Sequence, residues 1–185
     1  MRILEDRYDR DRQRLELALR FLTHEARTQT IHTWTGLTDH RIRNLYRSHL
    51  GRAACYVPRH RGKSPHQAAY FMRSLRIQQE TAVLASFFAL AGLVPPEPSA
   101  AAGMALPDIA RGHSLCTAFE TYNTMIPTAS IKFEYAVFLA ESLARGDQLR
   151  LGKCCDCGGL IVVERFPIRD KRCQSCAAAR SETDR

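Results

Sequence analysis

Two Cys-x-x-Cys pairs, Cys154/Cys157 and Cys173/Cys176, stand fifteen residues apart near the C-terminus. That spacing belongs to a four-cysteine zinc ribbon, in which two knuckles meet on one tetrahedral ion. Two residues between thiolates let both sulfurs reach the ion while backbone N–H groups turn toward them. Gly158-Gly159, directly after the first pair, supplies the turn such a knuckle needs. Cys155 offers a competing Cys-x-Cys arrangement with Cys157, but only Cys154 gives the two-residue spacing. Four thiolates close the coordination sphere and leave no position for water or substrate. The expected cofactor is therefore one structural Zn2+ per chain, held by Cys154, Cys157, Cys173 and Cys176. Too few apolar side chains surround these pairs to order the segment without the ion.

The chain carries seven cysteines, an odd number, and no stretch resembling an export signal, which argues against a disulfide framework and for a reducing, cytoplasmic setting. Cys55 and Cys116 stand alone and are expected as buried small hydrophobes. No apolar run is long enough to span a bilayer, so no membrane partner is expected. The histidines fall into no metal spacing. No paired carboxylates, activated nucleophile or glycine-rich phosphate loop is evident, and the chain is read as a binding protein rather than an enzyme.

Charge is unevenly placed. Residues 1–63 carry 14 basic and 7 acidic side chains, residues 64–150 carry 6 and 7, and residues 151–185 carry 7 and 5, within a formal net charge of +8. The excess lies in the N-terminal third, pointing to a polyanionic partner there.

Periodicity gives a mainly α chain: an N-terminal helix-turn-helix, an all-α middle region and a small C-terminal four-cysteine zinc ribbon. From Asp11, Leu15, Ala18, Leu19 and Leu22 form one apolar stripe. A second helix is expected over residues 26–33, a break at Trp34-Thr35-Gly36-Leu37, and a third helix capped by Thr38 and running to about Leu50. Residues 1–50 form the helix-turn-helix region and 51–65 a basic linker. The helical core and partner-binding region spans 66–146, with Ser64-Pro65 as a plausible cap for its first helix, further helices from about Asp108 to Met125 and Ser130 to Arg145, and a Pro- and Ala-rich surface connection over 95–104. Residues 147–178 form the ribbon, with Leu160-Ile161-Val162-Val163 as its clearest strand, and 179–185 a flexible tail.

In the third helix Leu37, Ile42 and Leu45 sit where the short helices must pack, leaving Thr38, Asp39, His40, Arg41, Arg43, Asn44 and Arg47 facing outward. Arginines that fork onto guanine or phosphate, and an asparagine that can pair with adenine, suit a recognition helix, and its N-terminus suits a phosphate. Arg59, Arg61 and Lys63 in the linker are expected phosphate contacts. A solvated helical hairpin shows the same surface pattern, and the clustered charge favours the DNA-binding reading. Trp34, beside the turn, is expected to fill the small core rather than to stack on a base.

Ala26-Arg27-Thr28-Gln29, the run from Thr35 to Tyr46, Cys154-Cys155-Asp156-Cys157-Gly158-Gly159 and Cys173-Gln174-Ser175-Cys176 together resemble the FlhC family over most of the chain. FlhC is the zinc-binding subunit of the flagellar master transcriptional activator. The resemblance implies a hetero-oligomer with an FlhD-like subunit that activates promoter DNA together with RNA polymerase holoenzyme. It also implies the same four cysteine ligands. Relatives activate conjugative-element transfer genes, and the residues leave that regulon open. A different class, an RNA- or ribosome-associated zinc-ribbon protein, remains the competing reading.

Overall fold

The computed structural model describes residues 2–50, 57, 58, 60, 62–95, 106–165 and 172–183. Cys55, Arg59, Arg61, Arg169, Lys171 and nearly all of the Pro- and Ala-rich connection lie outside the described residues. The chain forms α1 (Arg2–Thr23), α2 (Thr28–Thr35), α3 (Asp39–His49), a 3-10 helix (Ala68–Met72), α4 (Leu75–Leu90), α5 (Ile109–Met125), α6 (Phe133–Arg145), β1 (Leu149–Lys153), β2 (Leu160–Glu164) and α7 (Gln174–Thr183). It is mainly helical, with a single two-stranded sheet among the described residues. It divides into two units, Met1–Pro65 with Leu106–Cys116, and His66–Ala105 with Thr117–Arg185.

In the first unit, α1 begins at Arg2, well before the Asp11 that opens the apolar stripe. The added turns need no buried face, because Arg12 pairs with Asp9 at 3.6 Å and Glu16 at 3.3 Å along the helix. Such pairs favour an exposed helix by about 0.2–0.5 kcal/mol each. Of the expected stripe Ala18 and Leu22 are buried and Leu15 and Leu19 half-buried; the buried face is shifted to Leu17, Ala18, Phe21 and Leu22, which share a core with Ile31, Trp34, Leu37 and Ile42. Trp34 fills that core as expected, its ring centroid 5.8 Å from that of Phe21.

The connection from α2 to α3 is Gly36-Leu37-Thr38. Gly36 is left-handed (φ 68°) and its N–H returns to the His32 carbonyl at 2.8 Å, a helix stop that a side chain disfavours. Thr35 Oγ1 donates to the Ile31 carbonyl at 2.7 Å and accepts the Leu37 N–H at 3.2 Å, turning buried Leu37 into the core. Thr38 then caps α3, its Oγ1 accepting the Arg41 N–H at 3.4 Å.

The start of α5 belongs to this unit as well. A Cβ on Gly112 would lie 2.5 Å from Leu17 Cδ2, and the Arg20 guanidinium donates to the His113 carbonyl at 3.1 Å. A larger residue here would require the buried Leu17 side chain to shift.

In the second unit, α4 starts at Leu75, not near Ser64-Pro65. Ser74 is extended (φ −152°, ψ 157°) and its Oγ accepts the Ile77 N–H at 3.3 Å. Ahead of it Tyr70 stacks on Tyr135 at 3.7 Å and Phe71 on Phe138 at 5.9 Å. That aromatic packing onto α6, with the extended residue behind it, precludes one continuous helix from Ser64. α6 is buried over most of its surface, from Phe133 to Ala144, as suits a central helix. Gly146 (φ 64°) ends it. β1 and β2 pair antiparallel with Leu151 opposite Val162; α6 packs on β1 and α4 on β2, which ties the cysteine-bearing end of the hairpin to the helical body.

A buried carboxylate organises the same unit. Glu80 is 4% exposed and accepts from Tyr122 Oη at 2.6 Å, Ser130 N at 2.8 Å, Ser130 Oγ at 3.2 Å and Arg76 Nε at 2.8 Å. Burial pushes its pKa up, but these donors together outweigh burial and hold it below the usual carboxylate value; burial and the same contact raise Tyr122. A lowered folded-state pKa contributes stability that is present above the unfolded value near 4.5 and is lost as pH falls through the folded value. Glu80→Gln is expected to cost about 2–3 kcal/mol at pH 7, since a charged acceptor of several hydrogen bonds is replaced by a group that must donate at one end. Urea denaturation at pH 7 and at pH 4 checks this: the difference between variant and parent should shrink at the lower pH.

Candidate metal centre and basic helix

Cys154 follows β1, Cys157 ends the tight turn, Cys173 precedes α7 and Cys176 lies in the first turn of that helix. The hairpin knuckle is closed by two backbone bonds, Cys154 N–H to the Gly159 carbonyl at 2.8 Å and Gly158 N–H to the Cys154 carbonyl at 2.9 Å. Gly158 is left-handed (φ 71°), and a Cβ on Gly159 would press to 3.3 Å from Cys157 Sγ. Both glycines of the pair are thus required by the knuckle rather than by general flexibility.

The second knuckle is built differently from the expected ribbon, because it opens a helix. Cys173 Sγ accepts the Cys176 N–H at 3.5 Å, in the manner of a capping side chain, and the helix N-terminus favours negative charge on these sulfurs. The sequence reading contained no helix here and placed a tail over residues that α7 covers as far as Thr183. Ala177, Ala178 and Ala179 are strong helix formers, and their short run lacks the apolar period that would have betrayed them. Arg172 Nε pairs with Asp156 Oδ2 at 2.7 Å and links the two knuckles.

All four sulfur atoms lie within 4.8 Å of one another, and Cys157 Sγ and Cys173 Sγ are 3.7 Å apart. Tetrahedral coordination with zinc–sulfur bonds near 2.3 Å requires sulfurs about 3.8 Å apart, so the cluster fits an ion of that kind. Cys155 is not among the four: it is exposed and turned to Asp156 Oδ1 at 3.6 Å, which separates it from its neighbour Cys154. Sulfur electrostatics follow the donors. Backbone N–H groups of Cys157 and Cys173 bring Cys154 down to about 6, while hydrogen bonds to Cys173 and Cys157 push Cys176 up to about 12. Four crowded thiols cannot all ionise by themselves, and a divalent cation is what allows them to do so. The four cysteines therefore form a group able to hold a metal ion such as zinc. Cys116 is fully buried, the small hydrophobe expected.

On α3, Ile42 is buried and Leu45 and Tyr46 half-buried, whereas Thr38, Asp39, His40, Arg41, Arg43, Asn44 and Arg47 are exposed. His40, Asn44 and Arg47 form a hydrogen-bonded row: Arg47 Nη2 donates to Asn44 Oδ1 at 2.6 Å, and Asn44 Nδ2 lies 3.4 Å from His40 Nδ1. Arg43 Nε reaches the Asp39 carbonyl at 3.3 Å. Arg41 is set apart from this row, because its guanidinium is held by Asp11 on α1. Lys63 is exposed. No described helix is long and apolar enough to cross a membrane. Comparison with protein-family models and with curated proteins finds no match for this chain.

Proposed function

We propose that the chain is a DNA-binding transcription regulator of the FlhC type, the zinc-containing subunit of a hetero-oligomer with an FlhD-like partner. In this reading it works at promoter DNA together with RNA polymerase holoenzyme, on flagellar operons or on conjugative-transfer genes. The observation that carries the proposal is the outer surface of α3, where His40, Asn44 and Arg47 align on a capped helix that follows a three-residue glycine turn. Arginine and asparagine are the side chains that make paired contacts to guanine and adenine edges in the major groove. Arg43 on α3 and the exposed Lys63 offer positive charge for the phosphates, and Arg59 and Arg61 are assigned the same role from the sequence alone. Zinc, bound by Cys154, Cys157, Cys173 and Cys176, would supply a closed structural cross-link and no open coordination position.

A salt titration by fluorescence anisotropy tests the reading, using promoter duplex, scrambled duplex and structured RNA of equal length, with and without an FlhD-type subunit. The expected result is preference for promoter DNA that sharpens with the partner, and a log–log salt slope of about −3 or steeper, corresponding to several neutralised phosphates. Equal binding to all three nucleic acids, indifferent to the partner, would overturn it in favour of an RNA-associated role.

A further inference from the structure

Asp11 and Arg41 are 30 residues apart in sequence, on α1 and α3, and they meet in a two-pronged pair: Nη1 to Oδ1 at 2.9 Å and Nη2 to Oδ2 at 2.7 Å. Arg43 and Arg47 make their contacts within α3. Among the described residues, Arg41 is thus the cation of α3 whose fork is already filled by a carboxylate. A parallel fork of this kind is the geometry with which arginine receives a phosphate, so Asp11 occupies the acceptor position that a phosphate would take. Left alone, Arg41 would add a strong phosphate contact that carries no sequence information.

We propose that Asp11 limits the affinity of α3 for the DNA backbone, by holding the Arg41 fork that would otherwise take a phosphate. This rests on the duplex-binding reading of α3. The pair suits the role because it is surface chemistry: both side chains stay partly exposed, at 44% and 40%, so loss of Asp11 leaves the core untouched. The hydrogen bond from Arg41, chiefly, holds Asp11 below the usual carboxylate value, and the same bond raises Arg41.

The test is a double-mutant cycle of Asp11→Asn and Arg41→Gln in the full-length, zinc-loaded chain, with circular dichroism as a check on folding. Binding is measured to specific and scrambled duplex across a salt series. Asp11→Asn should tighten binding to specific and scrambled duplex alike, about three- to tenfold at low salt, and steepen both slopes by about 0.9, the increment of one more neutralised phosphate. Arg41→Gln alone should stay within about twofold of the parent, and the double variant should match Arg41→Gln. An unchanged or weakened Asp11→Asn, or a gain that survives in the double variant, overturns the inference while leaving duplex binding by the parent intact. A parent that fails to bind duplex overturns both this inference and the reading on which it rests.

Discussion

Stripping the metal from the loaded protein is expected to unfold residues 149–164 and 172–183 while α1, α2 and α3 keep their structure. The hairpin and α7 bury little of their own: Leu149, Leu151, Cys154 and Ile161 are their buried residues among those described. Apolar burial on that scale cannot offset the entropy of ordering the segment, so the cross-link between its two knuckles must. Metal binding to isolated four-ligand zinc peptides is worth about 10–16 kcal/mol near neutral pH, far more than the hairpin can supply by itself. Hydrogen exchange read by mass spectrometry, before and after chelation with the metal loss verified, should show protection lost from these two stretches first. Cys173→Ser should behave the same way, since it removes one sulfur from the ion while leaving a hydroxyl that can still cap the Cys176 N–H. The pH dependence has a defined sign. Binding replaces protons on sulfur, so affinity rises with pH and falls as acid returns those protons. Exchange protection that is indifferent to verified metal removal would show that the segment folds by other means.

What was legible in the sequence was local. The two-residue spacing of the cysteines, Gly158-Gly159, Gly36 and the Thr38 cap each act within a few residues, and each is fixed by backbone geometry that only certain side chains permit. Trp34 was readable from its place beside the turn, and the period of α1 only in part: Ala18 and Leu22 are buried, Leu15 and Leu19 half-buried, and Leu17 and Phe21 fill the core from outside the expected stripe. What escaped depends on pairs distant in the chain. The Gly112 contact with Leu17 draws the start of α5 to the N-terminal helices, and nothing in either local stretch marks it. The Glu80, Tyr122 and Ser130 network joins residues 42 to 50 positions apart, and a lone glutamate within an apolar helix reads as exposed until its donors are seen. Arg41 has the same sequence credentials as Arg43 and Arg47; its partner lies on another helix. α7 escaped for the opposite reason, because an alanine helix held by one knuckle has no amphipathic pattern to read. The candidate metal group was therefore more legible than the surface of α3, whose chemistry depends on which of its arginines are engaged.

That distinction gives the second large effect. Arg47→Ala is expected to weaken binding to the specific duplex about tenfold to a hundredfold, the range for loss of one paired contact to a base edge, with a much smaller loss on scrambled duplex. Lys63→Ala should weaken both duplexes alike and reduce the salt slope by about 0.9, as loss of one phosphate contact does. Asn44→Ala should resemble Arg47→Ala, because an adenine edge needs both the Oδ1 acceptor and the Nδ2 donor of one amide. In the unbound chain Arg47 already engages Oδ1 at 2.6 Å and His40 lies 3.4 Å from Nδ2. The row is thus preformed, and the asparagine amide is oriented by its neighbours before DNA arrives. Shared orientation makes the two residues non-additive: the Asn44→Ala, Arg47→Ala double variant should lose less than the product of the single losses. Anisotropy with both duplexes measures all four variants. Equal losses on specific and scrambled DNA for Arg47→Ala would make it a backbone contact, and base reading would then have to come from another surface.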